Sequence, residues 1–210
     1  MKVLNLYAGI GGNRKLWKDV DVTAVEINPD IAKEYQNNFP DDSMIVGDAH
    51  EYLLKHYDEF DFIWSSPPCQ THSNVNNFLN AQGVKRYPDM ELYQEILLLN
   101  YFCKNKWVIE NVKSYYVPLV KPFEVDRHYF WSNFFIHNRN FKPKSLTVTN
   151  SRESTRRNKN EHKAMLEKYH GLKSDNVQAL KNCVNPKLGL YVFDCAFERK
   201  QTLVSDWGLK

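Results

Sequence analysis

Two residues in this sequence have both the chemistry and the setting for covalent catalysis. Cys69 stands in Ser65-Ser66-Pro67-Pro68-Cys69-Gln70-Thr71-His72-Ser73, directly after the apolar run 60–65. A lone cysteine is most often a small core hydrophobe. This one sits on a proline-stiffened turn at the carboxyl end of a strand, where open α/β sheets bind their ligands. Cys103, Cys183 and Cys195 lie in helical apolar patterns and read as packing residues. The next apolar run, 107–110, ends in Val108-Ile109-Glu110-Asn111-Val112 and delivers a carboxyl group at the neighbouring strand end.

Three earlier strand ends carry the marks of an adenosine site. The first run leads into Tyr7-Ala8-Gly9-Ile10-Gly11-Gly12, a glycine turn that lets a ligand approach the backbone at a helix start. Position 14 is Arg14, so the dinucleotide fingerprint G-x-G-x-x-G is not met. Glu26 ends the second run, and a carboxylate there can accept both hydroxyls of a ribose. Asp48 follows the third run, placed to accept from an adenine amino group. The ordered set, without a pyrophosphate signature, favours S-adenosylmethionine over a nicotinamide cofactor.

Thiol, acid and methyl donor together suggest one reaction. Carbon 6 of a cytosine is a poor electrophile, but thiolate addition becomes feasible if ring nitrogen 3 is protonated during attack. Glu110 would supply that proton, an effect worth ~10²–10⁴-fold. Carbon 5 then turns enamine-like, takes the methyl group, and loses its proton as Cys69 is expelled. No His/Cys ligand cluster is present, so no metal is expected.

The elements that must position these residues alternate. Strands are expected over 2–7, 22–26, 43–46, 60–65 and 107–110, with helices over 13–18, 29–38, 49–57 and 90–103. Pro29 suits the first turn of its helix. The polar stretch 67–88 reads as a loop, 129–135 as a strand, 138–160 as a loop, and 175–196 as a helix or helix pair around Pro186. Such alternation implies α/β architecture: a parallel sheet with helices on both faces.

The 210 residues are 42% apolar and 25% charged, which suits one folded domain with a modest appendage and excludes a disordered chain. No run approaches the ~18 apolar residues of a membrane span. The start, Met1-Lys2-Val3-Leu4-Asn5-Leu6, lacks a signal-peptide pattern, so a cytoplasmic chain with reduced thiols and no membrane partner is expected. The net charge of +3 is unevenly spread. Residues 139–168 hold nine basic and three acidic side chains, so that strip is +6 and the remainder −3. A basic strip on a near-neutral body is the footprint of a polyanion partner.

Taken together, these motifs resemble the DNA (cytosine-5-)methyltransferase family. Residues 6–12 resemble its Phe-x-Gly-x-Gly-Gly segment, with Tyr7 for Phe. Residues 67–70 match its Pro-Cys-Gln nucleophile loop, and 110–112 its Glu-Asn-Val. Arg127-His128-Tyr129-Phe130-Trp131 resembles Arg-x-Arg-aromatic, and 178–184 resembles Gln-x-x-Gly-Asn-Ser-Val. The resemblance implies a Rossmann-like S-adenosylmethionine-dependent methyltransferase fold with a mostly parallel seven-stranded sheet. It implies catalytic roles for Cys69, Glu110 and Arg127, and cofactor contacts at Tyr7, Ala8, Gly9, Gly11, Gly12, Glu26, Ile27, Asp48, Ala49, Pro67, Asn182 and Val184. Double-stranded DNA would meet Gln70, Ser73, Lys85, Arg86, Asn111, His128, Arg156 and Arg157. Residues 1–133 would form the catalytic core, 134–175 a short basic recognition segment, and 176–210 a return to the core. One compact chain carrying every motif is expected to act as a monomer.

Three departures from the family pattern matter. His128 and Asp126 occupy the places of the two arginines, with Arg127 between them. A histidine there would make the contact pH-sensitive. Lys181 replaces the glycine before Asn182, and a cation near the sulfonium would suit a carboxylate-bearing donor such as carboxy-S-adenosylmethionine. Lastly, the recognition interval is short and mostly basic. It can neutralise phosphates but has little room for base-edge contacts, so a short recognition sequence is expected and a footprint over a long defined site would contradict it. The target base must leave the stack, and 71–87, directly attached to Cys69, is the expected lid. Competing readings are a tRNA cytosine methyltransferase, a catalytically inactive DNA-binding homologue and a small-molecule methyltransferase. The last leaves the basic strip unexplained.

Overall fold

Strand alternation and helix capping set the architecture seen in a computed structural model, which describes residues 1–141 and 159–197. The order is β1 (Lys2–Leu6), β2 (Asp21–Glu26), α1 (Pro29–Asn38), β3 (Ser43–Val46), α2 (Ala49–His56), β4 (Phe62–Ser65), α3 (Val75–Ala81) and α4 (Glu91–Phe102). Then come β5 (Lys106–Val112), β6 (Phe123–Val125), β7 (His128–Ser132), α5 (Lys159–His170), α6 (Val177–Asn182) and α7 (Pro186–Phe197). The seven strands form one sheet in the order β3-β2-β1-β4-β5-β7-β6. Strands β1 to β5 are mutually parallel, and β7 runs antiparallel to both β5 and β6. This is a mixed α/β, mostly parallel sheet.

Period-two alternation sends neighbouring residues to opposite faces. Val3, Phe62, Trp64 and Val108 join Trp17 and the α7 residues Leu188, Val192 and Phe193 on one side. Leu4, Leu6, Ile63 and Ile109 meet Leu53 of α2 and Leu92, Ile96 and Leu99 of α4 on the other. A third cluster joins Ala24, Ile31 and Tyr35 to Leu166, Leu172 and Leu180 of the C-terminal part. Helix α1 starts as Pro29 predicts, with the Asn28 side chain accepting from the Asp30 and Ile31 amides.

Two expectations change, over 13–18 and 67–88, and two elements, α5 and β6, add to those expected. The helix expected over 13–18 is a set of turns, closed by Lys15 N to Gly12 O and Trp17 N to Arg14 O. A six-residue helix cannot nucleate alone, and tertiary contacts pin this segment instead. Arg14 forks onto Asp42 with two 2.9 Å bonds, and Trp17 stacks on Phe193 with ring centroids 5.1 Å apart. The polar loop 67–88 contains α3, whose asparagines disguise it; buried Asn76 anchors it by donating to the Gln70 carbonyl. Most of the loop expected over 138–160 lies outside the described residues, and α5, which few apolar residues mark, begins at its end from Lys159. Strand β6, only three residues long, pairs with β7 through a two-residue turn. Asp126 takes φ +54° at the first turn position, a conformation that Asp tolerates better than most non-glycine residues.

Gly189 lies inside α7, where alanine normally gains about 1 kcal/mol. Here an added Cβ would stand 2.4 Å from Asn13 O and 2.6 Å from its Cα. Gly189→Ala is therefore expected to destabilise by about 1–3 kcal/mol. A lower denaturant midpoint checks this; a higher one would show that α7 does not press on the 13-turn.

Candidate active site

The sheet order reverses between β1 and β4, and the carboxyl ends of the strands flank a crevice there. A cavity of about 760 Å³ occupies it. Its cofactor wall comes from both ends of the chain: Tyr7, Ala8, Gly9 and Gly12 after β1, Glu26 and Ile27 after β2, and Asn182 and Val184 after α6. Gly9 has φ +53° and open space where a Cβ would point, so a ligand can lie against its backbone. Glu26 accepts from the Gly9 and Asn28 amides, each at 3.0 Å, which fixes its carboxylate and leaves lone pairs for two hydroxyls. Ile27 is 66% exposed, an apolar plate beside that carboxylate. Glycine backbone, fixed acid and open plate fit an adenosine.

The reacting wall comes from β4, β5 and β7. Pro67, Cys69, Gln70 and Ser73 line it together with Glu110, Asn111, Arg127 and His128. Two features join these elements. The Asn111 side chain donates to the Pro67 carbonyl at 3.0 Å, tying the nucleophile turn to the end of β5. Antiparallel pairing of Val112 with His128 brings the first residue of β7 to the same edge. The Cys69 carbonyl accepts from the His72 and Ser73 amides, closing a tight turn around the half-buried thiol.

Burial governs the electrostatics. It pushes the Glu110 carboxyl up to about 7, against the opposing pull of the Ser66 hydrogen bond and the Arg127 charge. Burial raises the Cys69 thiol too, and Glu110 adds to that. His128 is pushed down to about 3, chiefly by burial and then by Arg127 and Lys113. Its Nε2 lies 3.6 Å from Glu110 Oε1. With the ring neutral, that contact is a carboxyl beside an imidazole rather than an ion pair. His128 Nδ1 is buried without a partner, a polar atom available within the site.

Several predicted residues lie elsewhere. Gly11 backs onto α1, where an added Cβ would meet the Phe39 ring at 2.2 Å. Asp48 is off the cavity wall; its carboxylate caps α2 by accepting from the Glu51 amide. Ala49 is packed in the core. Lys85 and Arg86 are exposed on the stretch after α3, away from the wall. Arg156, Arg157 and most of the basic strip fall outside the described residues. Sequence reasoning missed Ser66, which accepts from Trp64 Nε1 and hydrogen-bonds Glu110; only its place just before Pro67 hinted at it. It also missed that Lys113 and Cys183 face the cavity. Lys181 lies on the wall beside Asn182. Among the described residues, no group of three or more His, Cys, Asp or Glu could hold a metal ion, and no helix is long and apolar enough to cross a membrane.

The profile of the C-5 cytosine-specific DNA methylase family matches residues 1–117. The chain belongs to that family. Among curated members, the tRNA (cytosine(38)-C(5))-methyltransferase of Spodoptera frugiperda is 27% identical over 164 residues, covering 72% of this chain and 47% of that protein. The Homo sapiens protein of the same name is 25% identical over 174 residues, covering 72% and 40%. This methylase chain thus spans less than half the length of those relatives. A crystal structure of a mutant Spodoptera frugiperda DNMT2 aligns with a TM-score of 0.37 at 30% identity, covering 53% of this chain and 35% of that one.

Proposed function

We propose that the chain methylates carbon 5 of a cytosine in a nucleic acid through a covalent bond between Cys69 and carbon 6. The carrying observation is that Cys69 and buried Glu110 line the same cavity as the adenosine-fitting residues Gly9, Glu26 and Ile27. S-adenosylmethionine, when bound there, supplies the methyl group that carbon 5 takes up. The chain's own residues do the rest. Glu110, near half-protonated at neutral pH, donates to ring nitrogen 3 as the Cys69 sulfur bonds to carbon 6. Arg127 and neutral His128 line the same cavity, and this reading assigns them to the carbonyl edge of the ring. Loss of the carbon 5 proton to water then restores the ring double bond as the sulfur–carbon 6 bond breaks, the thiolate leaves, and nitrogen 3 returns its proton to Glu110.

Double-stranded DNA is the substrate this reading favours, in line with the family's description. The names of the curated relatives support tRNA as a second reading. The test uses parent protein, S-adenosylmethionine and 5-fluorocytosine placed in duplex DNA or in a tRNA transcript. Fluorine cannot leave as a proton does, so the adduct persists. A denaturation-resistant complex mapping to the Cys69 peptide is expected. Its absence with both polymers would sink the reaction; its presence only with tRNA would replace the substrate.

A further inference from the structure

The cofactor turn and the nucleophile turn meet on a side chain that neither supplies. Glu95 of α4 is fully buried, 0% exposed. Its Oε1 accepts from the Tyr7 hydroxyl at 2.7 Å and stands 3.2 Å from His50 Nδ1. Its Oε2 accepts from the Ser65 hydroxyl at 2.7 Å. Tyr7 opens the glycine turn that contains Gly9. Ser65 ends β4, two residues before Pro67 and four before Cys69. His50 lies in the first turn of α2.

Ordinary packing does not explain this cluster. The same helix fills its buried positions with Leu92, Ile96 and Leu99, and a polar group buried among them costs free energy unless fully paired. Tyr7 also holds φ +53°, a left-handed conformation that non-glycine residues rarely adopt. Such strain persists only where surrounding contacts over-determine it. The Tyr7 hydroxyl on Glu95 is one such contact, and it sets where the glycine turn begins.

We propose that Glu95 is a positioning residue that locks the cofactor turn to the nucleophile turn, holding Gly9 and Cys69 in register across the cavity. The purpose of that lock rests on the methyl transfer proposed above, but its two arms can be read without catalysis. Calorimetric binding of S-adenosylhomocysteine reports the Tyr7 arm. Alkylation of Cys69, followed by peptide mapping, reports the Ser65 arm, since Cys103, Cys183 and Cys195 are buried.

Tyr7→Phe deletes one oxygen and is expected to weaken S-adenosylhomocysteine about tenfold while leaving the Cys69 alkylation rate unchanged. Ser65→Ala is expected to do the converse, altering alkylation and sparing affinity. Glu95→Gln keeps the shape, places a donor against donors, and should shift both readouts. A folded Glu95→Gln protein that shifts neither or only one overturns the proposal. So do single-arm variants that each disturb both readouts, because that pattern marks general loosening. If Glu95→Gln fails to fold, the two single-arm variants decide alone. The predicted shifts without any 5-fluorocytosine adduct in the parent would retain the lock and remove the reaction.

Discussion

Cys69→Ala is expected to lower methyl transfer at least ~10⁴-fold while leaving S-adenosylhomocysteine affinity unchanged. In the proposed reaction the sulfur forms the bond that activates carbon 5, whereas the adenosine-fitting groups stand on other strand ends. Cys183 also faces the cavity but offers no rescue. Burial pushes its thiol up to about 12, so at pH 7 only about 10⁻⁵ of it is thiolate. Labelled-methyl incorporation beside calorimetry checks both halves. Turnover within about tenfold of the parent would mean that another group attacks the ring.

Glu110→Gln should separate activity from stability. Turnover is expected to fall ~10²–10⁴-fold, because an amide cannot protonate nitrogen 3. Stability moves the other way. The native carboxyl titrates at about 7, above its ordinary value of 4.5, because burial disfavours the charged form. Its contribution is therefore fully present below about 4.5 and is lost as pH rises through about 7. Above that window the native protein carries a buried charge costing about 3 kcal/mol. Gln does not titrate, so the variant should match the parent near pH 4.5 and exceed it near pH 8. His128 and His170, both pushed down by burial, contribute the opposite slope to both proteins and largely cancel in the comparison. Denaturant midpoints at the two pH values decide it; parallel curves would show that Glu110 is not strained by its site.

The sequence made the parallel half of the sheet legible because each apolar run there is long enough, and sharply enough punctuated, to show its period. Pro29 and Asn28 announced α1 by capping chemistry alone. What escaped was held by distant partners. The 13–18 segment has helical spacing, yet Asp42 and Gly189 decide its shape. Helix α3 is disguised by asparagines, one of which is buried to reach Gln70. At the site, the convergence of Cys69, Glu110, Glu26 and Ile27 on one cavity was readable because each stands at or just after a strand end. Asp48, read as an adenine acceptor, also caps α2 through Oδ1, a local role the strand-end reading did not anticipate. Ser66 and Glu95 were not readable, since each acts through a side chain far along the chain. Glu95 lies 88 residues from Tyr7.

Gly12 packs so tightly on the segment after α6 that a Cβ would touch Cys183 Sγ at 2.2 Å and Val184 O at 2.4 Å. A ribosome finishes the thiol and the acid long before it makes that segment. A chain halted at residue 150 would thus hold Cys69 and Glu110 but lack the stretch of cavity wall from Asn182 to Val184.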